Sequence, residues 1–108
     1  MNTEEQTTNR PPTVAEMFEK CIGCKWTMHV LEQIAQGTLR PGELERTAEG
    51  LTTKVLNERL VKLVRFGILE KQSFAEVPPR VEYQFTPFGE RFLEVLSQIE
   101  LLQEEFKT

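Results

Sequence analysis

The chain has 108 residues, 39% hydrophobic and 28% charged, enough for one domain with a buried core and no need of a disulfide staple. Thirteen Lys and Arg stand against 17 Asp and Glu, and a formal charge of −4 with pI near 5.1 excludes a protein that coats polyanions through bulk positive charge. No apolar run of transmembrane length and no signal-peptide core follows Met1, so a cytoplasmic protein without a membrane partner is expected.

Residues 1–12, MNTEEQTTNRPP, are polar and end in a Pro pair, which predicts a flexible N-terminal arm and leaves 13–108 as the folded domain. Thr13 and Glu16 form a capping box. Val14, Met17, Phe18, Cys21 and Ile22 follow at helical spacing, and Gly23 ends this first helix. A second helix is predicted over 25–36, with Trp26, Val30, Leu31 and Ile34 inward, stopping at Gly37. Pro41 opens a short third helix through GELERTA, whose Leu44 and Ala48 can face the core, and Gly50 closes it.

The next segment, TTKVLNERLVKLVRFG (52–67), carries Lys54, Arg59, Lys62 and Arg65 against Glu58. These sixteen residues at +3 leave −7 on the other ninety-two. With Thr52 as N-cap and 100° per residue, Leu56, Leu60 and Leu63 share one side, Lys54, Glu58, Lys62 and Arg65 the other, and Asn57 and Arg59 the flanks. ILEKQSF and VEYQF read as two strands, the second with Val81, Tyr83 and Phe85 inward and Glu82 and Gln84 outward. AEVPPR joins them into a hairpin with a stiff tip. Thr86 and Pro87 then start a long helix over 87–106 through Phe88, Phe92, Leu93, Leu96, Ile99, Leu102 and Phe106.

This order predicts a mainly α fold with a small β-hairpin wing, a winged helix-turn-helix. The second helix of such a unit enters the DNA major groove and must be apolar on one side and polar or cationic on the other, which 52–65 satisfies. Thr52, Thr53, Lys54, Asn57 and Glu58 offer base-edge chemistry, and Arg59, Lys62, Arg40 and the wing's Arg80 suit phosphates or the minor groove. Local positive charge thus reconciles an acidic chain with double-stranded DNA as partner.

Several stretches carry a family resemblance over positions 14–100: Gly23, Lys25 and Trp26; Arg40, Glu43 and Leu44; Leu51, Thr52, Lys54, Leu56, Arg59 and Leu60; and above all VPPRVEYQFTPFG. In these the chain resembles the HxlR-type winged helix-turn-helix transcriptional regulators, relatives of MarR. The resemblance implies a bacterial or archaeal DNA-binding regulator acting as a homodimer, its first and last helices (13–22 and 87–106) joining the subunits. It departs from the family pattern at Cys24, where a second Gly is usual, and at Pro41, Gly42 and Asn57.

An apolar stripe running past the end of the small domain also favours dimerisation, through Val14, Met17, Phe18, Leu96, Ile99, Leu102 and Phe106. A repressor on a pseudo-palindromic operator is the simplest mechanism. One alternative is a protein-interaction module whose basic face docks an acidic partner. CIGC lacks the ligand count for a metal site and the βαβ context of a thioredoxin-like pair. Cys21 falls on the apolar stripe, while Cys24 precedes a helix N-terminus, where the dipole and Lys25 could lower its pKa. A redox-responsive regulator using Cys24, with Cys21, is therefore a further alternative, and the effector, a small molecule or an oxidant, stays open. Cysteines that sense oxidants in similar regulators lie nearer positions 11–14, so that role does not carry over. No nucleophile elbow, phosphate loop, HExxH or paired inward carboxylates is present, so neither catalysis nor a cofactor is expected.

Overall fold

Thr13 meets the first helix as a reciprocal cap: its hydroxyl accepts from Glu16 N–H, and the Glu16 carboxylate accepts from Thr13 N–H. The computed structural model describes residues 10–107, with α1 (Val14–Cys21), α2 (Lys25–Ala35), α3 (Pro41–Glu45), α4 (Thr53–Arg65), β1 (Leu69–Phe74), β2 (Arg80–Phe85) and α5 (Pro87–Glu105) in chain order. Most of the expected arm, residues 1–9, lies outside the described residues. At its end Arg10 grips Glu16, Nη2 to Oε2 at 2.8 Å, and that hydrogen bond with the Thr13 amide holds the Glu16 carboxyl down to about 2.

The winged helix-turn-helix is present as the order of elements predicts. Leu31 and Ile34 of α2, Leu44 of α3, Leu56, Leu60 and Leu63 of α4, and Ile68 and Leu69 at the hairpin meet in one core. Each fully buried leucine contributes about 2 kcal/mol. Several local expectations change. Trp26 is half-buried, and the adjacent Thr27 is fully buried instead. Helix α3 ends at Glu45, so Thr47 and Ala48 belong to the turn, where the Thr47 hydroxyl donates to Leu44 O and pairs with His29 Nε2 at 2.8 Å. Met17 and Leu96, expected on a partner surface, are buried in the chain's own core, because α1 closes over the first half of α5, with Phe18 stacked on Phe92 at 4.1 Å.

The hairpin runs antiparallel from Leu69 opposite Phe85 to Phe74 opposite Arg80. Tyr83 N–H donates to Leu39 O at 2.9 Å, which fastens the wing beside the α2–α3 connection. Tyr83 is buried and Val81 and Phe85 half-buried, as their alternation predicts. Glu82 and Gln84, expected outward, are half-buried as well: the Glu82 side chain is 16% exposed and lies between two arginines rather than in open solvent. No helix of the described residues is long and apolar enough to cross a membrane.

Candidate nucleic-acid interface

Leu56, Leu60 and Leu63 fix the rotation of α4, because burying them leaves Lys54, Asn57, Glu58, Val61 and Arg65 on the exposed side. Thr52 caps the helix, its hydroxyl accepting from Val55 N–H at 3.1 Å, a contact worth about 1 kcal/mol. The Thr53 hydroxyl donates to Glu45 Oε1 at 2.9 Å and ties the start of α4 to the end of α3. Both threonines thus hold the turn.

The four cations of this segment divide. Lys54 and Arg65 are exposed and form no ion pair among the described residues. Lys62, expected to point outward, is half-buried, and its ammonium donates to Lys20 O at 3.4 Å, supplying one of the carbonyls left open at the end of α1. Arg59 turns the same way, with its Nε buried and Nη1 4.0 Å from Glu58. The α1–α2 junction packs on that flank, and so half of the cationic ridge is half-buried against the protein's own surface. Val61, by contrast, is 64% exposed in the middle of the outer face. It follows Lys54, Asn57 and Glu58 at i+7, i+4 and i+3, a spacing readable from the sequence had the apolar residue not been set aside.

The wing arginines are also engaged. Arg40 precedes α3, with Nε 3.8 Å from Glu82 Oε2. Arg80, expected to project from the wing tip, opens β2 instead. Its guanidinium lies 4.0 Å from the Phe74 ring centroid, 3.2 Å from Glu76 and 3.7 Å from Glu82. The tip itself is residues 75–79.

The two cysteines are free thiols in different settings. Burial pushes Cys21 up to about 11, with Lys62 opposing and Cys24 adding to the rise. Burial would also raise the half-buried Cys24, but the hydroxyl of Thr27 (3.0 Å from Sγ), the Thr27 backbone and the charges of Arg59 and Lys62 outweigh it and lower its pKa. Lys25, given that part by the sequence, sits over the Trp26 ring at 4.9 Å. At neutral pH, iodoacetamide is expected to modify Cys24 in the native chain and Cys21 only after unfolding, with the Cys24 rate holding up below the usual thiol range; mass spectrometry of the labelled peptides checks this. Among the described residues no group of three or more His, Cys, Asp or Glu could hold a metal ion.

Comparison with known proteins adds to this geometry. The family model described as HxlR-like helix-turn-helix matches residues 21–108. The chain is 33% identical over 84 residues to YkvN, an uncharacterized HTH-type transcriptional regulator of Bacillus subtilis, a match covering 78% of this chain and 71% of YkvN. The match spans 53% of the length of a second HTH-type regulator, from Synechocystis, and 60–64% of the length of several others. Among solved structures, a MarR-family transcriptional regulator from Enterococcus faecalis V583 is similar at TM-score 0.76 and 36% identity, covering 98% of this chain and 91% of that one. Diamide-treated YodB from B. subtilis is similar at TM-score 0.78 and 26% identity, covering 91% and 96%.

Proposed function

This chain belongs to the HxlR-like helix-turn-helix family of transcriptional regulators, and from that premise we propose that it acts as a homodimeric repressor reading a pseudo-palindromic operator through α4. The observation that carries the reading is the solvent face of α4, where Lys54, Asn57, Glu58, Val61 and Arg65 stand clear of the leucine core. A helix so presented places an amide that can pair bidentately with adenine, a carboxylate that accepts from cytosine and a branched methyl pair that fits a thymine methyl on one groove-wide ridge. Lys54 and Arg65 supply phosphate contacts at its two ends. Selection of bound fragments from genomic DNA by the purified protein tests the proposal: enrichment of an inverted repeat with half-sites about one helical turn apart is the expected result. Recovery of no common sequence would overturn it.

Dimerisation would use the second half of α5 rather than the residues buried under α1. Val95, Leu101, Leu102 and Phe106 are exposed there, Ile99 is half-buried, and Val14 is exposed on α1. An apolar row of this kind on an otherwise charged helix supports pairing with a second copy. Leu102→Asp combined with Phe106→Asp is expected to weaken self-association by about 100-fold, read by sedimentation equilibrium, with the thermal transition of the monomer little changed.

A second reading makes the regulator redox-responsive. Cys24 touches Thr27 and feels Arg59 and Lys62 of α4, so its oxidation would alter the charge balance on the inner flank of the reading helix. Operator binding that is unchanged by mild peroxide, with Cys24 shown to be oxidised, removes this reading and leaves the first intact.

A further inference from the structure

Glu76 and Glu82 together offset two arginines at the edge of the wing, Arg80 of β2 and Arg40 just before α3. Glu82 Oε2 lies 3.8 Å from Arg40 Nε and 3.7 Å from Arg80 Nε, so one largely buried carboxylate serves a residue before α3 and a residue opening β2. Glu76 differs in position: it belongs to the 75–79 tip, is 50% exposed, and reaches Arg80 Nη2 at 3.2 Å from the outside. Two positive and two negative charges leave this edge without net charge. Between the arginines a cleft of about 370 Å³, lined also by Pro41, Pro78, Pro79 and Val81, opens to solvent. The ring of Phe74 under Arg80 keeps that guanidinium from swinging away.

We propose that Glu76 competes with DNA phosphate for Arg80, holding the wing cleft neutral until a backbone phosphate displaces it, while Glu82 stays beneath and aims both guanidiniums. This deepens the DNA-binding reading above and rests on it. An exposed carboxylate–guanidinium pair is weak in water, so a phosphate in the cleft can replace Glu76 without a large cost. Glu82 is enclosed and lies within ion-pair distance of both cations, though without a hydrogen bond to either, and it is not the group that leaves. The released Glu76 carboxylate then attracts a cation, which cancels part of the counterion release that Arg80 would otherwise bring about. The wing therefore binds any duplex less tightly than its arginine count implies, and the surplus of affinity is left to contacts made by α4.

The test measures binding to mixed-sequence duplex DNA as a function of salt for the unaltered chain and four variants. Glu76→Gln is expected to steepen the slope of log affinity against log salt by up to about 0.9 per engaged protomer, an affinity gain of about eightfold at 0.1 M salt. Glu70→Gln removes the same charge from the same hairpin, at an exposed carboxylate in no ion pair among the described residues, and is expected to leave the slope unchanged. Arg80→Ala should abolish the gain, so that adding Glu76→Gln to it changes nothing. Equal effects of Glu76→Gln and Glu70→Gln, or a Glu76→Gln gain that survives in Arg80→Ala, would overturn the competition. The comparison of the two Gln variants decides the matter even if Arg80→Ala folds poorly. If the unaltered chain shows no salt-dependent DNA binding at all, the DNA reading itself fails, and the competition with it.

Discussion

Gly89→Ala is expected to lower stability by about 3 kcal/mol, a fall in Tm of about 15 °C for a domain of this size. Local propensity gives the opposite sign, because alanine is favoured over glycine inside a helix by about 1 kcal/mol. The tertiary contact is larger. Gly89 lies in the first turn of α5, where its N–H donates to the Thr86 hydroxyl at 2.8 Å while that hydroxyl donates to Gly67 O. A Cβ added there would come within 1.9 Å of Ile68 O, a backbone atom fixed between the end of α4 and the first hairpin strand. Neither neighbour can retreat without breaking the junction that holds the wing. Thermal unfolding followed by circular dichroism checks this, and a Tm within about 2 °C of the parent would show that the helix start has room the geometry denies.

Replacing Lys54 and Arg65 together by alanine should flatten the salt dependence of DNA binding more than any other pair of α4 substitutions. Two phosphate contacts per protomer, four for a pair of protomers, account for about 3.6 units of slope, and affinity at 0.1 M salt should fall on the order of a thousandfold. Stability should change little: both side chains are exposed, and losing a cation from the first turn of α4 relieves an unfavourable interaction with the helix dipole that offsets the loss at the last turn. Lys62→Ala is the informative comparison. Its ammonium is already committed to Lys20 O, so it should shift the slope far less than Lys54→Ala. A Lys62→Ala effect as large as that of Lys54→Ala would mean that the helix meets DNA on a different flank.

The elements of this protein and the helix faces that carry its chemistry were readable from sequence because they depend on contacts within a turn or two. Thr13 with Glu16, Thr52 with Val55 and Thr86 with Gly89 are caps made across three residues, and the 3.6-residue period places Leu56, Leu60 and Leu63 opposite Lys54 and Arg65 without reference to anything else in the chain. Even the Thr-x-x-Gly start of α5 stands out as a pattern, although its need for glycine comes from Ile68, twenty-one residues earlier. What tertiary structure alone decided is which charges remain available. Lys62 and Arg59 lie on the flank that α1 and α2 happen to cover, Arg80 stacks on Phe74 across the hairpin, and Glu82 meets Arg40 because the Tyr83–Leu39 hydrogen bond sets β2 beside the start of α3. Met17 and Leu96 were lost to the core by the same kind of docking. Periodicity assigns a side chain to a face, but the partner it finds there depends on the angle at which distant elements pack, and that angle is set by the summed burial of the whole core rather than by any local stretch.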